Sequence, residues 1–170
     1  MSRDLEIRTA IERVVSVFRR KPEAALSSKK ASGRLAEGLV CRLTSEGPPV
    51  AMDMPKVLGG AESAPSPGYF IRAGLIGCVA IGIKLTAVRE GIDLDAIDVD
   101  VEMDFDDGAM LAVGTNSAAP LETRLTIRIE SAAPWDAVAA MVDRALAADP
   151  YYLAFRDRQN IKADVAPTAR

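Results

Sequence analysis

Any chemistry in this chain has to be done without histidine, because its 170 residues contain none and its thiols are limited to Cys41 and Cys78. Ser-His-Asp and Cys-His catalysis, histidine proton shuttles and histidine-ligated metals are therefore excluded. Two cysteines also fall short of a four-thiolate zinc site. What remains is thiol chemistry, which needs a thiolate stabilised by a nearby cation or a helix N-terminus. Cys78 sits between Gly77 and Val79, with Gly74, Leu75, Ile81 and Gly82 as helical neighbours, about three turns inside its helix and far from that helix's own N-terminus. An arginine from elsewhere would have to supply the field. Without one, Cys78 is a small buried hydrophobe, and Cys41, on one strand face with Leu39 and Leu43, reads the same way.

Two charge patterns compete for attention. Asp98, Asp100, Glu102 and Asp104 recur at every second position. Same-face strand residues lie about 6.5–7 Å apart, too far for successive carboxylates to share one cation, so no metal site is expected. Residues 1–42 hold ten basic and five acidic side chains, whereas 90–123 hold ten acidic and no basic ones. The basic end lacks aromatic or Gly-rich interleaving and reads as a solvated helix face, not a nucleic-acid surface. Gly108–Pro120 has no phosphate-loop spacing, and no cofactor is expected.

The elements that must position Cys78 follow from patterning. Residues 4–20 predict a helix with Ile7, Ile11, Val14 and Phe18 on one stripe. Leu35–Thr44 alternates as a strand, 46–49 turns, and Val50–Met54 returns as its hairpin partner. Gly59–Pro67 is a loop. Ser66 as N-cap, Pro67 at the first position and Gly91 as the left-handed stop predict one helix over 67–90. Gly74, Gly77 and Gly82 weaken that helix, so another backbone is expected close to them. Strands follow at 97–106, with Val99, Val101, Met103 and Phe105 inward, and at 121–131, where Arg124 and Arg128 can face the acidic strand. A helix from Pro134 to about Ala148 uses Trp135, Val138, Val142 and Leu146; a helical turn over 151–156 and a strand over 161–165 complete an α+β domain.

The net charge of −3 argues against coating nucleic acid or an anionic membrane. The apolar stretch 73–83 is about half the roughly 20 residues of a span and reads as a buried core helix, and residues 1–10 lack a secretory apolar region. A cytoplasmic location is the expectation.

Residues 56–78, KVLGGAESAPSPGYFIRAGLIGC, resemble the LGG…(S/N)P…LL.A..GC segment of the OsmC/Ohr family, the osmotically inducible and organic-hydroperoxide-resistance proteins. The order of the elements around that segment agrees. The resemblance implies residues 1–29 as a helical extension, 30–166 as an OsmC-like domain of antiparallel sheets wrapped around a long central helix, and 167–170 as a tail. It also implies an intertwined homodimer with sites at the subunit interface. Family members reduce peroxides through a cysteine on the central helix, which Cys78 matches. A second, resolving cysteine in a Cys-Pro step is replaced here by Asp149, and a glutamate that orients an activating arginine is replaced by Gly68. Arg34 is the candidate for that arginine. Two functions stay open: a one-cysteine peroxidase using Cys78, an organic hydroperoxide and an external thiol reductant, or a degenerate scaffold that binds a small molecule at the dimer interface.

Overall fold

The computed structural model describes residues 2–44 and 47–167. Helix α1 (Arg3–Arg20) leads into a three-stranded antiparallel sheet of β1 (Gly33–Leu35), β2 (Cys41–Leu43) and β3 (Ala51–Met52), in that order. The long helix α2 (Pro67–Glu90) follows. Then come β4 (Ala96–Asp104), the short α3 (Asp107–Met110), β5 (Glu122–Glu130), α4 (Trp135–Ala147) and α5 (Pro150–Arg156).

The bounds of α2 follow from its ends. Ser66 Oγ accepts from the Tyr69 N–H, Pro67 opens the helix, and Gly91 closes it at φ +73°, a conformation only glycine adopts without strain. Leu75, Val79, Ile83 and Ala87 recur at four-residue steps on one face and are buried against Val138, Met141 and Ala145 of α4. The inner face of the β4–β5 ribbon, with Val99, Val101, Leu125 and Ile127, packs on the same cluster. β4 and β5 pair from Ala96↔Glu130 to Asp104↔Glu122, so Arg124 lies opposite Glu102 and Arg128 opposite Asp98. The arginines do face the acidic strand: Arg124 bonds Glu102 and Asp104, and Arg128 bonds Asp100.

Several expectations need correcting. The strand expected over 35–44 is two short strands, because Gly38 at φ +57° turns the chain between β1 and β2. Of the turn expected over 46–49, Glu46 lies outside the described residues. Phe105 and Trp135 are exposed, the first beyond the end of β4 and the second at the opening turn of α4. On α1, Val14 and Phe18 are exposed while Ile7, Ile11 and Val15 are half-buried, because the helix docks through its first half, where Asp4 pairs with Lys84 at 2.9 Å. Residues 161–165 form no strand and are exposed. Gly74 and Gly77 meet no atom of the chain, whereas Gly82 leaves room for the Asp149 carboxylate, whose Oδ2 would lie 3.2 Å from an added Cβ.

The loop before α2 is held by a residue the sequence pattern did not single out. Asp53 is buried, and its carboxylate accepts from the N–H groups of Met54, Ala61 and Ser63 and from the Ser63 hydroxyl. These donors hold its pKa below the ordinary value. The glycine pair has two separate reasons. Gly59 sits at φ +85°, and Gly60 passes so near Met54 that a Cβ would stand 1.7 Å from its carbonyl oxygen.

Candidate functional site

Cys78 lies one helical step from the buried Leu75–Val79 stripe and is half-buried, on the side of α2 that meets α5. The step between α4 and α5 brings Asp149 to it. Asp149 Oδ1 caps α5 by accepting from the N–H groups of Tyr151 (3.0 Å) and Tyr152 (2.7 Å). Its Oδ2 is buried and receives no well-formed hydrogen bond among the described residues. The Cys78 thiol feels this carboxylate both as an acceptor and as a negative charge. Burial first, and then Asp149, push the thiol pKa above its ordinary 9.0, with the Tyr151 N–H acting the other way. All of this except the Tyr151 N–H favours the thiol of Cys78 over its thiolate.

The two residues line a cavity of about 360 Å³ together with Ile81, Gly82, Leu85, Thr86, Arg89, Ala145, Ala148 and Pro150. Its wall is mainly aliphatic, with the thiol and the carboxylate among its polar groups and Arg89 as its cation. Such a site can hold a small molecule with an apolar body. No group of three or more potential metal ligands occurs among the described residues.

A family model described as OsmC-like protein matches residues 59–164, which includes α2, Cys78 and Asp149. The chain belongs to the OsmC-like family. Three solved structures share the fold at low identity. An OsmC-like protein from Mycoplasma pneumoniae has a TM-score of 0.65 at 15% identity, covering 76% of this chain and 88% of that one. An organic hydroperoxide resistance protein from Legionella pneumophila has a TM-score of 0.57 at 20% identity, covering 78% and 91%. The organic hydroperoxide resistance protein OhrB of Bacillus subtilis has a TM-score of 0.52 at 20% identity, covering 78% and 93%. No curated protein matches the chain.

The OsmC-like frame sorts the residues singled out from sequence. Cys78 and Asp149 come together in one cavity wall. Arg34 does not join them within one chain: it stands on β1 opposite Arg42, exposed, in a separate concavity with Glu37, Val40 and Thr44. Gly68 lies in the first turn of α2, where an added Cβ would be 3.3 Å from Arg72 Nη1. Cys41 belongs to the first sheet, paired with Leu35 and Met52. Reading the sequence missed Arg89, whose place in the Cys78 cavity follows from Cys78 by three- and four-residue steps through Gly82, Leu85 and Thr86. On α2, Ile71 and Ile81 are exposed, and a Cβ added at Gly74 or Gly77 would meet nothing within 4 Å among the described residues, so the close backbone expected at these glycines is not supplied by them.

Proposed function

We propose that this OsmC-like protein binds a small molecule in the Cys78 cavity and has left two-cysteine peroxide reduction behind. The observation that carries the reading is Asp149 beside Cys78. A carboxylate cannot form a disulfide with the thiol, and it opposes the thiolate on which fast attack at a peroxide bond depends. The working unit is a cytoplasmic homodimer in which a second copy covers the Gly74–Ile81 side of α2, with residues 1–29 as an extension of the domain. That cover would close the cavity from the side the single chain leaves open.

A second reading is favoured by the cavity itself, which gives solutes a route to the sulfur. In it, Cys78 attacks an organic hydroperoxide, the O–O bond breaks, and the products are a cysteine sulfenic acid and an alcohol, with the thiol proton passing to the alcohol oxygen. One external thiol then condenses with the sulfenic acid to a mixed disulfide, releasing water, and a second displaces Cys78 as its thiol, the two leaving as an external disulfide. Arg34 of the partner copy would supply the activating charge.

One experiment separates the two. Cys41→Ser protein is treated with cumene hydroperoxide at neutral pH, and sulfenic acid at Cys78 is trapped with dimedone. The binding reading expects oxidation no faster than that of glutathione under the same conditions. Oxidation far faster than glutathione's would replace it with the one-cysteine peroxidase. Sedimentation is expected to give a dimer, and a stable monomer at micromolar concentration would remove the interface from either reading.

A further inference from the structure

Helix α1 lies outside the segment matched by the OsmC-like model, and it builds with α2 a second concavity of about 510 Å³. Arg8, Ile11, Glu12, Val15, Ser16 and Arg19 follow one another at one-, three- and four-residue steps, which places them on one stripe of α1. That stripe faces Arg89 in the last turn of α2, and Arg20 completes the lining. Four guanidinium groups thus converge on one hollow against the single carboxylate of Glu12, in a chain whose net charge is −3.

Internal pairing does not account for them. Arg8, Arg19 and Arg89 take part in no ion pair among the described residues, and Arg20 reaches only the Ser16 carbonyl, at 3.2 Å. Glu90, the chain neighbour of Arg89, is taken by Arg144 through two bonds of 2.9 and 2.6 Å. Helix-end placement explains part of the pattern, since Arg19, Arg20 and Arg89 lie in last turns where positive charge is favoured. It extends to Arg8, which sits in the second turn of α1 and reaches the Gly91 cap of α2, with Nη2 3.6 Å from where a Cβ would stand, but it does not explain why all four arginines line one hollow. The half-buried Ile7, Ile11 and Val15 and the Asp4–Lys84 pair seat α1 on α2, so the fold forms the hollow.

We infer that this arginine hollow binds a phosphorylated small molecule carrying two or more negative charges. Guanidinium groups match phosphoryl oxygens with paired N–H donors, and several of them around one anion provide both charge and orientation. The half-buried Ile11 and Val15 floor gives the rest of such a molecule an apolar surface. Arg89 also borders the Cys78 cavity, so an anion held here would sit at that cavity's edge.

The test uses the full chain and inorganic pyrophosphate as the probe, titrated calorimetrically at constant ionic strength. Saturable binding at one site per chain is expected. Arg8→Gln and Arg19→Gln should each weaken it by about tenfold, the size of one charge-assisted hydrogen bond. Arg128→Gln, on the far sheet, should leave it within about twofold, the scale of a screened surface charge. Glu12→Gln should tighten it, a gain that a purely structural helix face would not give and that needs no arginine variant to fold. Absence of saturable binding, equal loss in Arg128→Gln, or binding of a single-stranded oligonucleotide without pyrophosphate binding would each overturn the inference. None of these readouts involves Cys78, so the result stands apart from that of the hydroperoxide experiment.

Discussion

The half of the molecule around Cys78 and the half around Cys41 are held together differently. Among the described residues, nine hydrophobic side chains are buried, all of them from Leu75 to Ala145, and eight of these form one cluster. Among the described residues, the β1–β3 sheet and its loop bury no hydrophobic side chain, and their one buried residue is Asp53, a carboxylate satisfied by four donors. Apolar packing fixes the first half, and a polar hub fixes the loop of the second. The consequence for function is direct: Cys78 and Asp149 are set by the core, while Arg34 rides on a sheet whose position relative to them no core enforces.

The contrast can be broken at either end. Met141 is fully buried between α4 and α2, so Met141→Ala should cost about 2–5 kcal/mol and lower the thermal midpoint of the whole domain. A loss confined to part of the structure would mean that the core is not one cooperative unit. Gly60→Ala tests the other half. Its Cβ would run into the Met54 carbonyl, so the 53–66 loop must shift, at about 2 kcal/mol or more. Limited proteolysis should cut this loop first while the α2–α4 core stays protected. Acid should loosen the same place. The lowered Asp53 pKa means its stabilisation is complete above the ordinary value of 3.8 and is lost as pH falls through the lower folded value, and Asp53→Asn should remove that dependence. The smallest effect belongs to Gly68→Glu. A glutamate there gains helix propensity over glycine and stands four residues before Arg72, so stability should rise by about 0.5 kcal/mol, read as a shift in denaturant midpoint.

The same division explains what the sequence could tell. Helix α2 was legible to the residue because Ser66, Pro67 and Gly91 are local signals, and β4 and β5 were legible because strict alternation leaves one register. The Cys78 and Asp149 positions were legible through family resemblance, which marked both without saying what a carboxylate at the second would do to a thiol at the first. That effect depends on burial and on the α5 cap, which turns one oxygen of Asp149 to the backbone and leaves the other in the cavity wall. The Asp53 hub was not legible, since its four donors come from three residues spread over ten positions of loop. The strand expected at 161–165 failed for a related reason: alternation there found no neighbouring strand to pair with.

The protonated state of Cys78 is the claim on which the functional reading turns. Alkylation of Cys41→Ser protein with iodoacetamide, followed across pH by mass, reports it directly. The rate should be low at neutral pH and climb to a midpoint above 9.0, the ordinary thiol value, and Asp149→Asn should move that midpoint to lower pH by removing the negative charge. A rise centred below neutral pH, unchanged by Asp149→Asn, would mean that a cation activates Cys78 and that Asp149 does not hold it as a thiol.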